Sequence, residues 1–247
     1  ILNKQYNVRV LDNPVLLEDK STIVSEPTTE ITFPIKIHMK DVVPFQREAF
    51  EIIKDKFELV EDLNSITDYE IVSIYGETCQ NGVSDNPYNI FPFLRGLFLE
   101  KYKYELIKGK RIFITRKNSE LIAYHGGVLK RFVLNENELV NMLKKYNFEY
   151  IQLEDYQMND KIKLFMESEM ILSTNSSALT LTLFSNKDSK IIEILNKGTA
   201  GSIHNHYISI CNTLNLNYNR YSNICEDSNG NFNIDVIEFE KYLLTLI

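Results

Sequence analysis

A chain of 247 residues, 44% hydrophobic and 25% charged, has the make-up of an ordinary globular protein, enough for one large domain or two small ones. Its formal net charge of −7 excludes a broad nucleic-acid footprint, so a phosphate-bearing ligand must be held by a few placed cations. No apolar run approaches the roughly 18–20 residues that span a bilayer, so no transmembrane segment is expected. The three cysteines, Cys79, Cys211 and Cys225, are odd in number and lack metal-type spacing. Free thiols in a soluble protein of a reducing, cytoplasmic-type compartment are the expectation. The first residue, Ile1, reads as that of a processed product or an excised piece, which leaves room for a lost signal or anchor.

Within Glu30–His38, Ile31, Phe33, Ile35 and Ile37 alternate with Thr32, Lys36 and His38, the period of a half-buried strand. Pro34 marks it as an edge strand, because proline cannot donate to a ladder. A helix follows from Asp41 or Pro44 to about Phe57, with Phe45, Ala49, Ile52, Ile53 and Phe57 on one face. Phe57–Val60 and Glu70–Tyr75 read as short strands. Asn86–Leu106 reads as a helix whose Phe91, Leu94, Leu97, Phe98 and Tyr102 form a core face and not an aromatic binding box. The breaker Lys108-Gly109-Lys110 places the boundary between an N-terminal lobe, 1–108, and a C-terminal lobe, 109–247.

The C-terminal half alternates more regularly. Strand Arg111–Thr115 leads to a helix opened by Asn135, with Glu138 three residues on in the manner of a capping box, and closed near Asn147. Strand Tyr150–Leu153, helix Asn159–Glu169, strand Met170–Ser173, a short helix Ser176–Phe184 and strand Ile191–Leu195 follow. Helix His204–Leu214, strand Tyr218–Tyr221 and helix Asp235–Ile247 complete the order. Strands that alternate with helices predict an α/β fold with a parallel, doubly wound sheet.

In such a sheet ligands sit beyond the carboxyl ends of the strands, at the switch point. Arg116 ends the first strand of this half, and the loop to Asn135 carries His125, Lys130 and Arg131. The turn Thr174-Asn175-Ser176-Ser177 ends another strand and opens a helix, where free N–H groups and hydroxyls suit an anion. Arg116 and Arg131 read equally as phosphate ligands or solvated cations, and the serines as contacts or simple caps. Glu193 is an acid in an apolar run, and a carboxylate there requires a cation or a hydroxyl-rich partner such as a ribose.

The order of Arg116, Arg131 with Asn135-Glu136, Tyr146–Ile151, Glu169–Leu179 and Ile191-Ile192-Glu193 resembles glycosyltransferase family 61 over about residues 110–245. The resemblance implies a GT-B-like fold of two Rossmann-like lobes and an inverting, metal-independent transfer. A nucleotide-sugar, with UDP the expected nucleotide, would be the donor, and a glycan or protein hydroxyl the acceptor. It assigns Arg116, Arg131, Asn175, Ser176, Ser177 and Glu193 to the donor site, with the arginines and helix amides on the diphosphate and Glu193 on the ribose. An inverting transfer also needs a base from the N-terminal half, and Glu77 and His38 stand just past strands there. Asn175-Ser176 replaces the His-Gly pair of the family, Ser119–Gly126 looks inserted, and the family's N-terminal His-Trp segment finds no match. Those departures keep two alternatives open: a non-catalytic glycan- or partner-binding module with the transferase fold, and a nucleotide-sugar epimerase.

Two metal-like patterns read as something else. Asp227–Glu238 copies much of an EF-hand loop, but Phe232 occupies the position where the sharp turn requires Gly, so a polar turn before the last helix is expected. His204 and His206 stand at i and i+2 on a helix, where their rings diverge. No metal ligands are assigned.

Overall fold

The computed structural model describes residues 35–38, 44–60, 90–116, 132–195, 206–222, 227 and 230–247. The chain divides into two compact units, Ile1–Gly76 and Glu77–Ile247. In the first, strand β1 (Ile35–His38) pairs in parallel with β2 (Phe57–Val60), in register from Ile35–Phe57 to His38–Val60. Parallel neighbours require a crossover, and helix α1 (Pro44–Ile52) supplies it. Pro44 stands at the first helical position, where its missing N–H would be unpaired anyway. The helix stops before Phe57, whose N–H closes a last turn on the Ile53 carbonyl at 3.0 Å. Phe57 is buried and opens β2 instead of ending α1. The expected strand Glu70–Tyr75 lies outside the described residues.

The second unit holds α2 (Ile90–Leu99), β3 (Ile107–Ile114), α3 (Glu136–Lys144), β4 (Phe148–Ile151), α4 (Met158–Glu167) and β5 (Ser168–Thr174). A 3₁₀ helix (Ser177–Phe184), β6 (Lys190–Ile194), α5 (His206–Thr213), β7 (Asn217–Tyr221) and α6 (Val236–Leu244) follow. The five strands form one sheet in the order β4-β3-β5-β6-β7, every pair parallel. This is the parallel, doubly wound arrangement that the alternation predicts. The chain leaves β3 for β4 on one side and returns to β5 on the other, so the switch point lies between the carboxyl ends of β3 and β5.

The period of two along the strands divides the core. Phe113, Met170, Leu172, Ile192, Ile194 and Tyr221 meet α3 and α6 through Leu139, Leu143, Phe239 and Leu243. Ile112, Ile114, Ile171 and Ile191 point to the other face and are fully buried. That face carries the 3₁₀ helix, which packs against α4 and α5. Helix α2 joins the second unit on the same side: the Arg95 guanidinium donates to the Leu183 carbonyl at 3.0 Å, and Phe98 meets Phe184 edge to face.

Lys108-Gly109-Lys110 lies inside β3, which begins four residues before the expected Arg111. Register shifts there, between Ile107 opposite Ser168 and Arg111 opposite Met170. Gly109 takes φ +82°, a conformation that a side chain would strain, and its N–H donates to the Glu169 carboxylate. Asn135 is the residue before α3, as expected, but its side chain does not cap the helix. It pairs instead with the backbone of Ile234, donating to the carbonyl at 2.9 Å and accepting from the N–H at 3.0 Å. An amide carries both a donor and an acceptor and so can imitate a strand edge, which a capping oxygen alone cannot. Asp235, in contrast, caps α6 by accepting from the N–H groups of Ile237 and Glu238, each at 3.1 Å.

The EF-hand-like stretch is a turn. Asp227 accepts from the Asn231 N–H at 2.8 Å and from its amide at 3.2 Å, with Gly230 at φ +75°. Phe232 is buried and bridges to Val133, so the position that would need glycine serves as a core anchor. Helix α5 begins at His206, and His204 lies outside the described residues.

Candidate functional site

At the switch point the end of β3 meets the turn after β5. Both strands are apolar where they cross the core, Ile112–Ile114 in β3 and Met170–Leu172 in β5, and turn polar beyond it: Thr115 and Arg116 after β3, and Ser173 to Ser176 at the end of β5. The Arg116 guanidinium is half-buried and donates to the Asn175 carbonyl at 2.9 Å, which spans the crevice. Asn175 is held from two more directions. Its N–H extends the ladder to the Ile194 carbonyl at 3.0 Å, and its side-chain amide donates to Glu193 Oε1 at 2.5 Å.

Glu193 has none of its surface exposed. Its other oxygen, Oε2, accepts from the Tyr218 hydroxyl and from Arg220 Nε at 3.0 Å. The register explains the meeting. Glu193 lies opposite Arg220, and Ile191 opposite Tyr218, so all four side chains share one face of β6 and β7. Burial pushes the Tyr218 hydroxyl well above its ordinary value, and the neighbouring Glu193 charge pushes it further, so it stays protonated and donates. For Arg220, burial acts to lower the pKa, but the interactions with Tyr218 and Glu193 outweigh it and hold it above its ordinary value. Sequence reasoning asks for a cation or a hydroxyl-rich partner at a buried Glu193, and the protein itself supplies a cation, Arg220, together with the Tyr218 hydroxyl. The ribose contact assigned to Glu193 would compete with donors already in place.

A second polar cluster stands at the ends of β3 and β4. Thr115 Oγ1 donates to Glu136 Oε1 at 2.5 Å, and the Tyr150 hydroxyl to Oε2 at 3.2 Å. Glu136 opens α3 and is buried, a favourable place for a negative charge at a helix N-terminus.

The 3₁₀ helix begins at Ser177, two residues beyond Asn175. Ser176 precedes it without capping it, its hydroxyl lying 3.3 Å from that of Ser173. Ser177, exposed, is the first residue of the helix, whose opening amides lack acceptors within it. Arg116, Asn175, Ser176 and Glu193 therefore come together at one strand-end region, with Ser177 beside them. Arg131 and Glu77 lie outside the described residues, and His38 is the last residue of β1 in the first unit. Sequence reasoning missed Tyr218, Arg220, Thr115 and Tyr150. A signal for one of them was present, because Arg220 is the single cation in Asn217–Tyr221 and an acid in the neighbouring apolar strand calls for one.

A family model described as Glycosyltransferase 61 matches residues 69–192, half of the chain. The chain belongs to that family. The match includes Arg116, Arg131, Glu136 and the turn at Asn175, and ends one residue before Glu193. A search among curated proteins gave no match. Membership in family 61 gives the class of chemistry, transfer of a sugar from a donor to an acceptor, and with it the two kinds of partner. Among the described residues no helix is long and apolar enough to cross a membrane.

Proposed function

We propose that the chain is an inverting, metal-independent glycosyltransferase of GT-B architecture that moves a sugar from a UDP-sugar to a hydroxyl of a glycan or protein. The observation that carries the reading is Arg116, a cation held at the switch point of a parallel sheet against the turn that opens the 3₁₀ helix. A departing diphosphate needs positive charge and N–H donors where its own charge develops. Arg116, Arg131 and the amides after Ser176 and Ser177 are the groups assigned to it, in the place of a divalent cation. In this reading the second unit, Glu77–Ile247, carries the donor site. The acceptor hydroxyl gives its proton to Glu77 or His38, and its oxygen attacks the anomeric carbon from the face opposite the leaving nucleotide. Glu193 acts behind Asn175 and does not reach the ligand.

The test is calorimetric titration of the full chain with UDP, GDP, CDP and dTDP, with and without EDTA. One nucleotide should bind equally well in both, and Arg116→Ala should weaken it by about 1.5–3 kcal/mol, the worth of a charged hydrogen bond. A chain that binds none of the four lacks a donor site of this kind. Asn175, where the family carries His, supports a second reading as a non-catalytic binding module, because its amide is already bonded to Glu193. Slow release of free sugar from the donor without acceptor argues for the enzyme, and its absence for the module. Inverted or isomerised free donor would argue for an epimerase.

A further inference from the structure

We infer that Tyr218 and Arg220 are positioning residues for the ligand turn Thr174–Ser177, acting through Glu193 on Asn175. Its functional part rests on the donor-site reading above. Asn175 is the pivot of the turn, and three of its polar groups are engaged by these partners: the N–H by Ile194, the backbone carbonyl by Arg116 and the side-chain NH2 by Glu193. The first two bonds fix the peptide planes on either side of its Cα. The third holds the side chain, and it depends on where Glu193 Oε1 lies.

A carboxylate with no exposed surface has no water to orient it, so its donors do. Arg220 and Tyr218 converge on Oε2, and Arg220 Nη2 also donates to the Tyr218 hydroxyl at 3.1 Å. The three groups form a closed triangle. With Oε2 held at two points, the carboxylate plane cannot turn, and Oε1 must face Asn175. The chain of contacts therefore runs from the edge strand β7, through β6, to the turn after β5, and ends at Arg116 on β3. Arg220 keeps 24% of its side-chain surface exposed, so the far end of the relay is open to solvent. In metal sites, residues that orient a ligand from behind cost about 10- to 100-fold in affinity or activity when they are lost, and the same logic applies to Asn175. None of this follows from a purely structural ion pair, which could lie anywhere along the two strands. This pair lies one register step before the end of the sheet, opposite Ser173, where the Glu193 carboxylate reaches the Asn175 amide.

The experiment compares the wild-type full chain with Arg220→Leu, Arg220→Lys and Tyr218→Phe by amide NMR and by UDP titration. Tyr218→Phe removes one hydroxyl and keeps the ring, so it serves if Arg220→Leu does not fold. The inference expects the amides of Asn175 to Leu179 to shift more than those of β4 or α6. It also expects UDP affinity to fall about tenfold or more in Arg220→Leu, with Arg220→Lys between it and wild type. Turn amides that stay in place in folded Arg220→Leu and in Tyr218→Phe overturn it. So does UDP affinity that is unchanged while the amides move. A wild type that binds no nucleotide counts against the donor-site reading alone, and the amide shifts then decide the relay by themselves.

Discussion

Removal of the buried charge in two ways tests the energetics of the Glu193 network. In Arg220→Leu the carboxylate keeps Asn175 and Tyr218 as donors but loses its counter-charge at 3.0 Å. Removing one partner from a buried pair costs about 3–5 kcal/mol, and the 24% exposure of Arg220 puts this case near 3 kcal/mol. In Glu193→Leu the carboxylate charge disappears and Arg220, 24% exposed, turns its own to solvent, but the amide of Asn175 and the hydroxyl of Tyr218 lose their acceptor. At about 1–3 kcal/mol for each unsatisfied group, that also comes to about 3 kcal/mol. The double variant orphans the same two groups and leaves no buried charge, so it should cost about 3 kcal/mol and not the sum of about 6. Urea unfolding followed by far-ultraviolet circular dichroism gives the three differences. A double variant as unstable as the sum of the singles, to within about 0.5 kcal/mol, would mean that the two residues do not interact.

Two further outcomes follow from local chemistry. Asn135→Asp keeps a good helix-capping residue, but it removes the donor to the Ile234 carbonyl, so stability should fall by about 1 kcal/mol in the same urea assay. Unchanged or higher stability would show that capping outweighs the pairing with Ile234. The thiol of Cys211 is pushed up to about 12 from an ordinary 9.0, chiefly by burial, with the Thr182 hydrogen bond opposing and the Glu193 charge assisting. Its folded pKa lies above its unfolded one, so its contribution is complete below pH 9.0 and disappears as the pH rises towards about 12. In that window wild type should lose up to about 1.4 kcal/mol per pH unit more than Cys211→Ala. Parallel stability curves for the two would contradict the burial of this thiol.

The buried strands were the most legible part of the chain, for a physical reason. Ile191 and Ile192 are covered on both sheet faces, so they read as a continuous apolar run, and a parallel sheet is the fold that covers them so. Element ends were less legible where one residue type serves two purposes. Gly109 signals a break between lobes, yet its positive φ makes a bulge within β3. Asn135 signals a cap, yet Ile234, 99 positions away in the chain, offers its amide a better partner. The helical stretch after Ser176 was recognised, but its 3₁₀ character was not. There Thr180 and Thr182 hydroxyls donate to carbonyls three residues back, at 2.7 Å each, a local competition that propensity does not encode. At the site, the proximity of Arg116, Asn175 and Ser176 follows from their places just past β3 and β5, and Glu193 stood out as the acid in the apolar run of β6. Arg220 did not, because it stands in an edge strand where cations are ordinary.

Glu193 is the residue whose presence stability explains least. A well-packed apolar side chain in its place, with apolar partners on β7, would be about as stable as the ion pair or more so. The rest of that sheet face shows that the sequence has such residues to hand, with Ile112, Ile114, Ile171 and Ile191 all buried there. What an apolar row cannot do is hold an amide at a fixed angle. Glu193 is placed one register step before the sheet ends, at the point where Asn175 needs an acceptor. A charge kept in the core at no gain in stability, and aimed at the turn beside Arg116, is better accounted for by the placement of that turn than by the strength of the sheet.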